Sequence, residues 1–212
     1  MGEGGAGRLR IGVLALQGDV AAHATALAEV GALPVPVRRP ADLGDLAGLV
    51  IPGGESTTLS LLLSSSGIVE PLDALIAAGL PVLGTCAGLI LLAREVVDGR
   101  PDQRSFGAMD IVVRRNAFGR QVSSFESDVV VAGCPGPPVR AVFIRAPAIE
   151  EAGPAVEVLA EIDTPMGCRA VACRQGAITV TAFHPELTTD RRIHEMFVSG
   201  IKTSHPHKIA IR

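Results

Sequence analysis

Residues 80–88 read Leu-Pro-Val-Leu-Gly-Thr-Cys-Ala-Gly and are the strongest local feature of the sequence. An apolar strand runs directly into Gly84-Thr85-Cys86-Ala87-Gly88, and a helix is predicted from Ala87 to Val97. Glycines two residues before and after Cys86 relieve crowding in a sharp strand–turn–helix connection, the nucleophile elbow. The helix N-terminus favours a thiolate at this point. Taken alone, the pattern fits a buried structural cysteine beside helix-packing glycines equally well.

The residues before this stretch alternate between strand and helix patterns. Asp19 and Ser56 are predicted N-caps, and Gly31 and Gly79 are predicted helix ends. Strands are predicted at Arg10–Leu16, Val35–Val37, Leu49–Ile51 and Pro81–Gly84, and helices from Asp19 to Val30 and at Thr57–Leu63 and Leu72–Ala78. Such alternation implies parallel strands with helices on both faces of the sheet.

The second half of the chain is dominated by strand patterns separated by turn residues. Strands are predicted at Phe106–Arg114, Phe125–Ala132, Val139–Arg145, Val156–Asp163, Arg169–Arg174 and Ala177–Phe183, with a hairpin at Gln175-Gly176 and a last helix from Asp190 to Ile201. We therefore expect a three-layer α/β fold of flavodoxin-like type: a mostly parallel sheet, helices on both faces and additional antiparallel strands. One domain is expected over residues 10–201, with flexible segments at 1–9 and 202–212.

Composition and charge exclude several classes of function. The net charge is −3 and the chain has no Trp or Tyr, so a nucleic-acid partner is not expected. No apolar run reaches the roughly 18 residues of a membrane span. Residues 1–10 lack an apolar signal-peptide core, so a cytoplasmic location is expected. The four cysteines match no zinc pattern, and a cytosolic setting disfavours disulfides, so at least one free thiol is expected. Neither a metal nor an organic cofactor is predicted.

A second motif, Phe183-His-Pro-Glu186, follows a predicted strand. Residues two apart in an extended segment point the same way, so His184 and Glu186 are expected side by side. A nucleophilic cysteine needs a base beside it and a carboxylate that orients the base. Alone, this motif fits a loop histidine beside a solvated acid better. Together with Cys86 it favours a catalytic triad.

The third motif is Ile51-Pro-Gly-Gly-Glu-Ser-Thr-Thr58, again between a strand and a helix. Gly53 and Gly54 leave backbone N–H groups accessible, as an oxyanion hole requires. A phosphate-binding loop is the alternative, but the segment lacks the P-loop spacing and a nearby lysine. All three motifs follow predicted strands, and ligand sites of open α/β sheets lie at the carboxyl ends of strands.

These residues together resemble the class I (triad) glutamine amidotransferases, and more narrowly the glutaminase subunits of pyridoxal 5′-phosphate synthase, the PdxT/SNO family. The resemblance extends from about Ile11 to Ile201. Its most specific segments carry arginines. The matching segments are Gly12–Gly18, Pro52–Thr58, Gly84–Gly88, Arg115–Gln121 (RNAFGRQ), Val142–Pro147 (VFIRAP) and Phe183–Leu187.

The resemblance implies a glutaminase that hydrolyses L-glutamine to glutamate and ammonia through a cysteine thioester. Cys86 is then the nucleophile, His184 the base and Glu186 its orienter, with oxyanion-hole amides from Gly54 and Ala87. The implied glutamine-binding residues are Gly54, Glu55, Ser56, Arg115, Ile144 and Arg145. The implied partner is the barrel-shaped synthase subunit (PdxS/SNZ type), which receives the ammonia. His23 and His194 fall outside the motifs and are expected to be structural or exposed.

Three alternatives remain open. The first is a glutaminase that serves a different synthase, such as those for histidine, GMP or anthranilate; the RNAFGRQ and FIRAP segments argue against it. The second is a γ-glutamyl hydrolase or cysteine peptidase of similar fold. The third is a non-catalytic regulatory module on the same fold, and the presence of all three triad residues argues against it.

Overall fold

The computed structural model describes residues 8–100, 103–115, 117, 124–164 and 167–204. The first half alternates strand and helix, as its sequence pattern predicts. Its elements are β1 (Arg10–Leu14), α1 (Val20–Glu29), β2 (Leu33–Val37), a 3-10 turn (Pro40–Leu43), β3 (Gly48–Ile51), α2 (Ser56–Ser66), α3 (Val69–Ala77), β4 (Val82–Thr85) and α4 (Ala87–Leu92).

The second half is mainly strand and ends in a helix. Its elements are β5 (Ala93–Val96), β6 (Met109–Arg114), β7 (Ser124–Val129), β8 (Val139–Ile144), β9 (Ala148–Ala152), β10 (Glu157–Thr164), β11 (Gly167–Gln175), β12 (Ile178–Thr181), a 3-10 turn (Pro185–Leu187) and α5 (Arg192–Ser204). Strands β11 and β12 form the hairpin predicted at Gln175-Gly176.

One sheet contains most of the strands, in the order β2-β1-β3-β4-β12-β11-β9-β6-β5, with β10 on β11. The five strands from β2 to β12 are mutually parallel. The strands beyond them pair mainly antiparallel, and β7 and β8 form a separate antiparallel pair. The helices fall into two contacting groups, α1 with α5 and α2 with α3 and α4. The expected α/β class, with a parallel sheet and added antiparallel strands, is confirmed.

The three strands that precede the sequence motifs are neighbours. Strand β4 lies between β3 and β12, with Ile51 opposite Gly84 and Thr85 opposite Thr181. Because the three strands are parallel and in register, their carboxyl ends meet at one edge of the sheet. The fold therefore delivers residues from distant parts of the sequence to the same place.

The structure corrects the end of one predicted helix and the N-cap of another. The helix after Cys86 ends at Leu92 rather than Val97, because residues 93–96 leave the helix and pair in parallel with β6. The N-cap of α2 is Glu55 rather than Ser56, since the Glu55 carboxylate accepts hydrogen bonds from the amides of Thr57 and Thr58. Strand β9 was not predicted; its sequence, AIEEA, is short and acidic, and pairing with β6 and β11 makes it a strand.

The buried apolar residues form one cluster that extends from Leu9 to Ile201 and draws on both halves of the chain. Of the segments expected to be flexible, residues 1–7 and 205–212 lie outside the described residues, whereas α5 continues beyond the predicted end at Ile201. Among the described residues, no single helix is long and apolar enough to cross a membrane. The helix pair α2 and α3 would pass on length and composition only, and it is bent by 101°.

Candidate active site

Cys86 lies in a strained turn between β4 and α4. Its φ is +49°, a value that non-glycine residues rarely adopt and that costs of the order of 1 kcal/mol or more. The Cys86 amide donates to the Thr181 carbonyl oxygen at 2.8 Å, which fastens the turn to β12. The sulfur faces a cleft at the carboxyl edge of the sheet.

The glycines on either side of Cys86 are required by close packing. A Cβ on Gly88 would lie 2.1 Å from the Ile51 carbonyl oxygen, and one on Gly84 would lie 2.9 Å from the carbonyl carbon of Gly88. Any side chain at either position would push α4 away from β3 or β4. The two glycines thus let the helix begin directly against the strand ends, which sets the position of the sulfur.

His184 and Glu186 lie next to each other, but for a different reason from the one predicted. The segment after His184 is a 3-10 turn and not an extended strand. Within this turn His184 Nδ1 lies 2.8 Å from Glu186 Oε1, and both residues are buried. The His184 amide donates to the Val142 carbonyl oxygen at 2.9 Å, so β8 also helps to place the ring.

The side chains of Cys86 and His184 meet across Gly53. A Cβ on Gly53 would lie 2.3 Å from His184 Cε1 and 3.2 Å from Cys86 Cβ. Burial disfavours the imidazolium, but hydrogen bonds with Cys86 and Glu186 outweigh burial and raise the pKa of His184 to about 10. Burial also opposes ionisation of Glu186, yet its hydrogen bond with His184 holds the pKa of this carboxyl below its usual value. The arrangement pairs a thiol with a base and orients that base with an anion, which suits nucleophilic catalysis.

The cleft beside Cys86 has a volume of about 140 Å³. The structure brings all six predicted glutamine-binding residues to this cleft, together with Cys86 and His184. The lining residues are Gly54, Glu55, Ser56, Cys86, Ile90, Arg115, Ile144, Arg145 and His184. Ala87, the other predicted oxyanion-hole residue, is buried at the start of α4, where helix N–H groups lack partners within the helix.

Opposite charges face each other in the cleft. The Arg115 guanidinium lies 3.5 Å from Glu55 Oε1 and also donates to Gln103 Oε1 at 2.9 Å. Burial opposes ionisation of Glu55, but hydrogen bonds from Thr58 and Thr57 outweigh it and lower the pKa of Glu55 to about 2. The Glu55 carboxylate and the Arg115 guanidinium thus form a pair of opposite charges in the cleft. The rest of the RNAFGRQ segment, apart from Ala117, lies outside the described residues.

Ile144 and Arg145 reach the cleft from the end of β8. The Ile144 carbonyl oxygen lies 3.8 Å from Cys86 Sγ, so this backbone borders the sulfur directly. Arg145 has a φ of +44°, a second strained position beside the cleft. Strained non-glycine backbone on two sides of one cleft is typical of a functional site.

A model of the SNO glutamine amidotransferase family matches residues 13–203, which is most of the chain. The chain belongs to the SNO glutamine amidotransferase family. The match extends beyond the three motifs through nearly all of the described fold. The predicted family is therefore confirmed, and with it the class of enzyme, a glutaminase of the glutamine amidotransferase type.

Curated relatives of this amidotransferase match it along almost their full length. A protein of Frankia alni is 61% identical over 196 residues, covering 92% of this chain and 96% of the relative. A protein of Rhodococcus jostii is 56% identical over 195 residues, covering 91% and 96%. Both are named pyridoxal 5′-phosphate synthase subunit PdxT. A solved structure described as the crystal structure of a glutamine amidotransferase superimposes with a TM-score of 0.83 and 44% sequence identity. The match covers 90% of this chain and 98% of that one.

Sequence reasoning missed several residues around the site of this amidotransferase. Ile90 lines the cleft and stands four residues after Cys86, so helical spacing could have indicated it. Gln103 holds Arg115, but no sequence pattern connects the two. His23 was expected to be structural or exposed; it is fully buried and lies 3.3 Å from Glu186 Oε2.

Proposed function

We propose that this amidotransferase is the glutaminase subunit of a pyridoxal 5′-phosphate synthase and that Cys86, His184 and Glu186 are its catalytic residues. One observation carries the proposal: Cys86 and His184, which follow the neighbouring parallel strands β4 and β12, flank Gly53 and face one cleft. The names of the full-length relatives support the choice of synthase.

In the first step the Cys86 thiolate attacks the side-chain amide carbon of glutamine. A C–S bond forms, and the carbonyl electron pair moves onto oxygen, which becomes an oxyanion. Backbone N–H groups of Gly54, in the cleft lining, and of Ala87, at the start of α4, stabilise this oxyanion. Both amides belong to motifs fixed by the ends of β3 and β4.

In the second step the oxyanion collapses and the C–N bond breaks. His184, which the raised pKa keeps protonated, gives its proton to the departing nitrogen, so ammonia leaves and a γ-glutamyl thioester remains. His184 then accepts a proton from water as that water attacks the thioester, which releases glutamate and restores the Cys86 thiolate. Glu186 orients the ring and stabilises its positive charge in both steps.

The charges in the cleft match the two ends of an α-amino acid. The planar guanidinium of Arg115 suits the α-carboxylate of glutamine, and the carboxylate of Glu55 suits the α-ammonium group. Gly54, Ser56, Ile144 and Arg145 complete the surface that contacts the substrate. The side-chain amide can then lie toward Cys86.

The ammonia acceptor is the barrel-shaped synthase subunit, which uses ammonia, ribose 5-phosphate and glyceraldehyde 3-phosphate. Ammonia released into solvent is protonated and lost, so the two subunits work as a complex. We expect glutaminase turnover of the isolated chain to rise sharply when the synthase subunit is added. The cytoplasm is the proposed compartment, and the four free thiols agree with it, since disulfides are rare there.

The test supplies the synthase subunit and its two sugar phosphates with either glutamine or an ammonium salt. Cys86→Ala should abolish pyridoxal 5′-phosphate formation from glutamine and leave formation from ammonium unchanged. The matched controls are Cys134→Ala, Cys168→Ala and Cys173→Ala. Each should support pyridoxal 5′-phosphate formation from glutamine and from ammonium. Formation from glutamine by Cys86→Ala would refute the catalytic assignment, and failure of the parent chain to support this synthase would refute the choice of partner.

A further inference from the structure

The carboxylate of Glu186 lies between two imidazoles, and the mechanism above uses only one of them. His184 Nδ1 is 2.8 Å from Oε1, and His23 Nε2 is 3.3 Å from Oε2. His23 belongs to α1, whereas Glu186 lies in the 3-10 turn after β12. At 3.3 Å the second contact is long, but Oε2 has no partner of full hydrogen-bond geometry among the described residues. His23 is therefore the group placed to serve this oxygen.

A third imidazole, that of His194, contacts the other ring nitrogen of His23. His194 Nε2 lies 3.0 Å from His23 Nδ1, so one of these nitrogens carries hydrogen and the other accepts it. His23 Nε2 faces the Glu186 carboxylate, which only accepts, and the Thr85 hydroxyl, which can accept. A hydrogen on Nε2 suits both neighbours and leaves Nδ1 as the acceptor. His194 then donates from Nε2. Its Nδ1, which has no described partner, is left without a hydrogen, and this costs less than a buried unpaired N–H.

His23 and His194 are both fully buried. Burial lowers the pKa of His23, and burial with the neighbouring His23 lowers the pKa of His194 to about 3. The charged or titratable groups that act on this pair are Glu186, His184, Asp19 and Arg191. A neutral donor holds a carboxylate without cancelling its charge. Glu186 thus keeps its full effect on the His184 imidazolium, which a lysine or arginine at position 23 would reduce.

The same nitrogen of His23 also reaches the other side of the site. Nε2 lies 3.3 Å from the hydroxyl oxygen of Thr85, the residue before Cys86. That hydroxyl accepts a hydrogen bond from the Gly53 amide at 3.0 Å. One buried ring therefore contacts the carboxylate that orients the base and the hydroxyl that anchors the glycine between Cys86 and His184.

We propose that His23 is a positioning residue, a neutral Nε2–H donor that is shared between the second oxygen of Glu186 and the Thr85 hydroxyl and is itself held by His194. The proposal rests on the catalytic roles assigned above. His23 does not line the cleft. Its contribution is therefore to kcat through Glu186 and His184, and glutamine affinity does not depend on it.

The variants are His23→Leu, which removes the donor, and His23→Gln, whose amide can replace it. In the full chain with the synthase subunit, we expect His23→Leu to lower kcat about tenfold or more with KM within about twofold. Without the His23 donor, Glu186 is less stabilised as an anion, so its pKa rises. The acid limb of the kcat–pH profile therefore moves to higher pH. His23→Gln should return both toward the parent values.

Leu27→Ala is the matched control, because Leu27 is a fully buried residue of the same helix and belongs to the apolar core. It should lower the melting temperature without moving the acid limb. A folded His23→Leu with parental kcat and acid limb would overturn the proposal, as would an equal shift in Leu27→Ala. A folded His23→Gln no better than His23→Leu would also overturn it.

If His23→Leu does not fold, the imidazole ¹⁵N chemical shifts of the parent chain test the proposed tautomer and charge of His23. We expect His23 and His194 to be neutral Nε2–H tautomers from pH 6 to 8. A His23 imidazolium, or an Nδ1–H tautomer, would refute the proposal. A parent chain without glutaminase activity would refute the proposed function instead, and the tautomers of His23 and His194 would still report on the geometry.

Discussion

The buried side chains of His184 and Glu186 lie 2.8 Å apart, Nδ1 to Oε1, at the start of a 3-10 turn. Pro185 connects the two residues directly. The His184 amide also donates a hydrogen bond to the Val142 carbonyl oxygen of β8, which fixes the position of the pair. The backbone of the turn therefore places the carboxylate beside the ring. This relationship makes the role of Glu186 open to a direct test.

Glu186→Gln should lower kcat by at least about 100-fold, because a neutral amide does not stabilise the His184 imidazolium. Removing the anion also lowers the pKa of His184 from its raised value of about 10 toward the ordinary value. Steady-state rates with titration of His184 by NMR would measure both effects. Glu157→Gln, at an exposed ion pair with Arg174, is the control and should leave both unchanged. A Glu186→Gln variant with parental kcat would show that the carboxylate is structural only.

Arg115→Lys should raise the KM for glutamine about tenfold or more while kcat changes less. A lysine cannot form the two parallel hydrogen bonds that a guanidinium offers a carboxylate. Arg114→Lys is a matched control one residue away, since Arg114 pairs with Glu150 outside the cleft. Equal KM changes in the two variants would count against a substrate contact at Arg115.

Gly53→Ala should reduce kcat strongly, because the added Cβ would lie 2.3 Å from His184 Cε1 and 3.2 Å from Cys86 Cβ. The ring and the sulfur would have to separate. Gly200→Ala in α5 meets nothing within 4 Å and should retain activity, with unfolding free energy raised by about 0.5–1 kcal/mol. Rates and thermal melts of the two variants make the comparison. Parental kcat in Gly53→Ala would mean that the two side chains do not flank this glycine.

Acid should destabilise the fold through the buried histidines. The pKa of His194 is about 3 in the fold and 6.5 as the ordinary value, so between these values the unfolded chain binds one proton more. Stability therefore falls as pH drops from 6.5 toward 3, by about 1.4 kcal/mol per pH unit for this one group. His194→Leu should flatten the acid slope of the unfolding free energy by about one proton. Phe197→Leu, a nearby core change, should lower stability and keep the slope; an unchanged slope in His194→Leu would contradict the account.

The sequence predicted the parallel core of the fold because strand, turn and helix residues alternate there at short range. The separation of the triad residues did not hide the site, since each motif follows a strand and β3, β4 and β12 are neighbours. Helix α4 was predicted too long, because pairing of residues 93–96 with β6 overrides a helical pattern. The 3-10 turn at Pro185 was also missed, although the resulting side-chain contact was predicted.

The buried histidines could not be predicted from the motifs. His23 and His194 are 171 residues apart, and each stands in a helix whose pattern fits any amphipathic helix. Only the packing of α1 against α5 and the turn at Glu186 brings their rings together. Burial of polar side chains depends on such packing and leaves no local signal in the sequence.

The central claim is that the sulfur of Cys86 attacks the side chain of glutamine. The most direct measurement uses a glutamine analogue that carries an electrophilic ketone in place of the amide. The full chain is incubated with this analogue in the presence of the synthase subunit, and the modified peptide is then identified by mass spectrometry. We predict one adduct, on Cys86, suppressed by excess glutamine and strongly slowed in Glu186→Gln. An adduct on Cys134, Cys168 or Cys173 that glutamine suppresses, with Cys86 unmodified, would contradict the account.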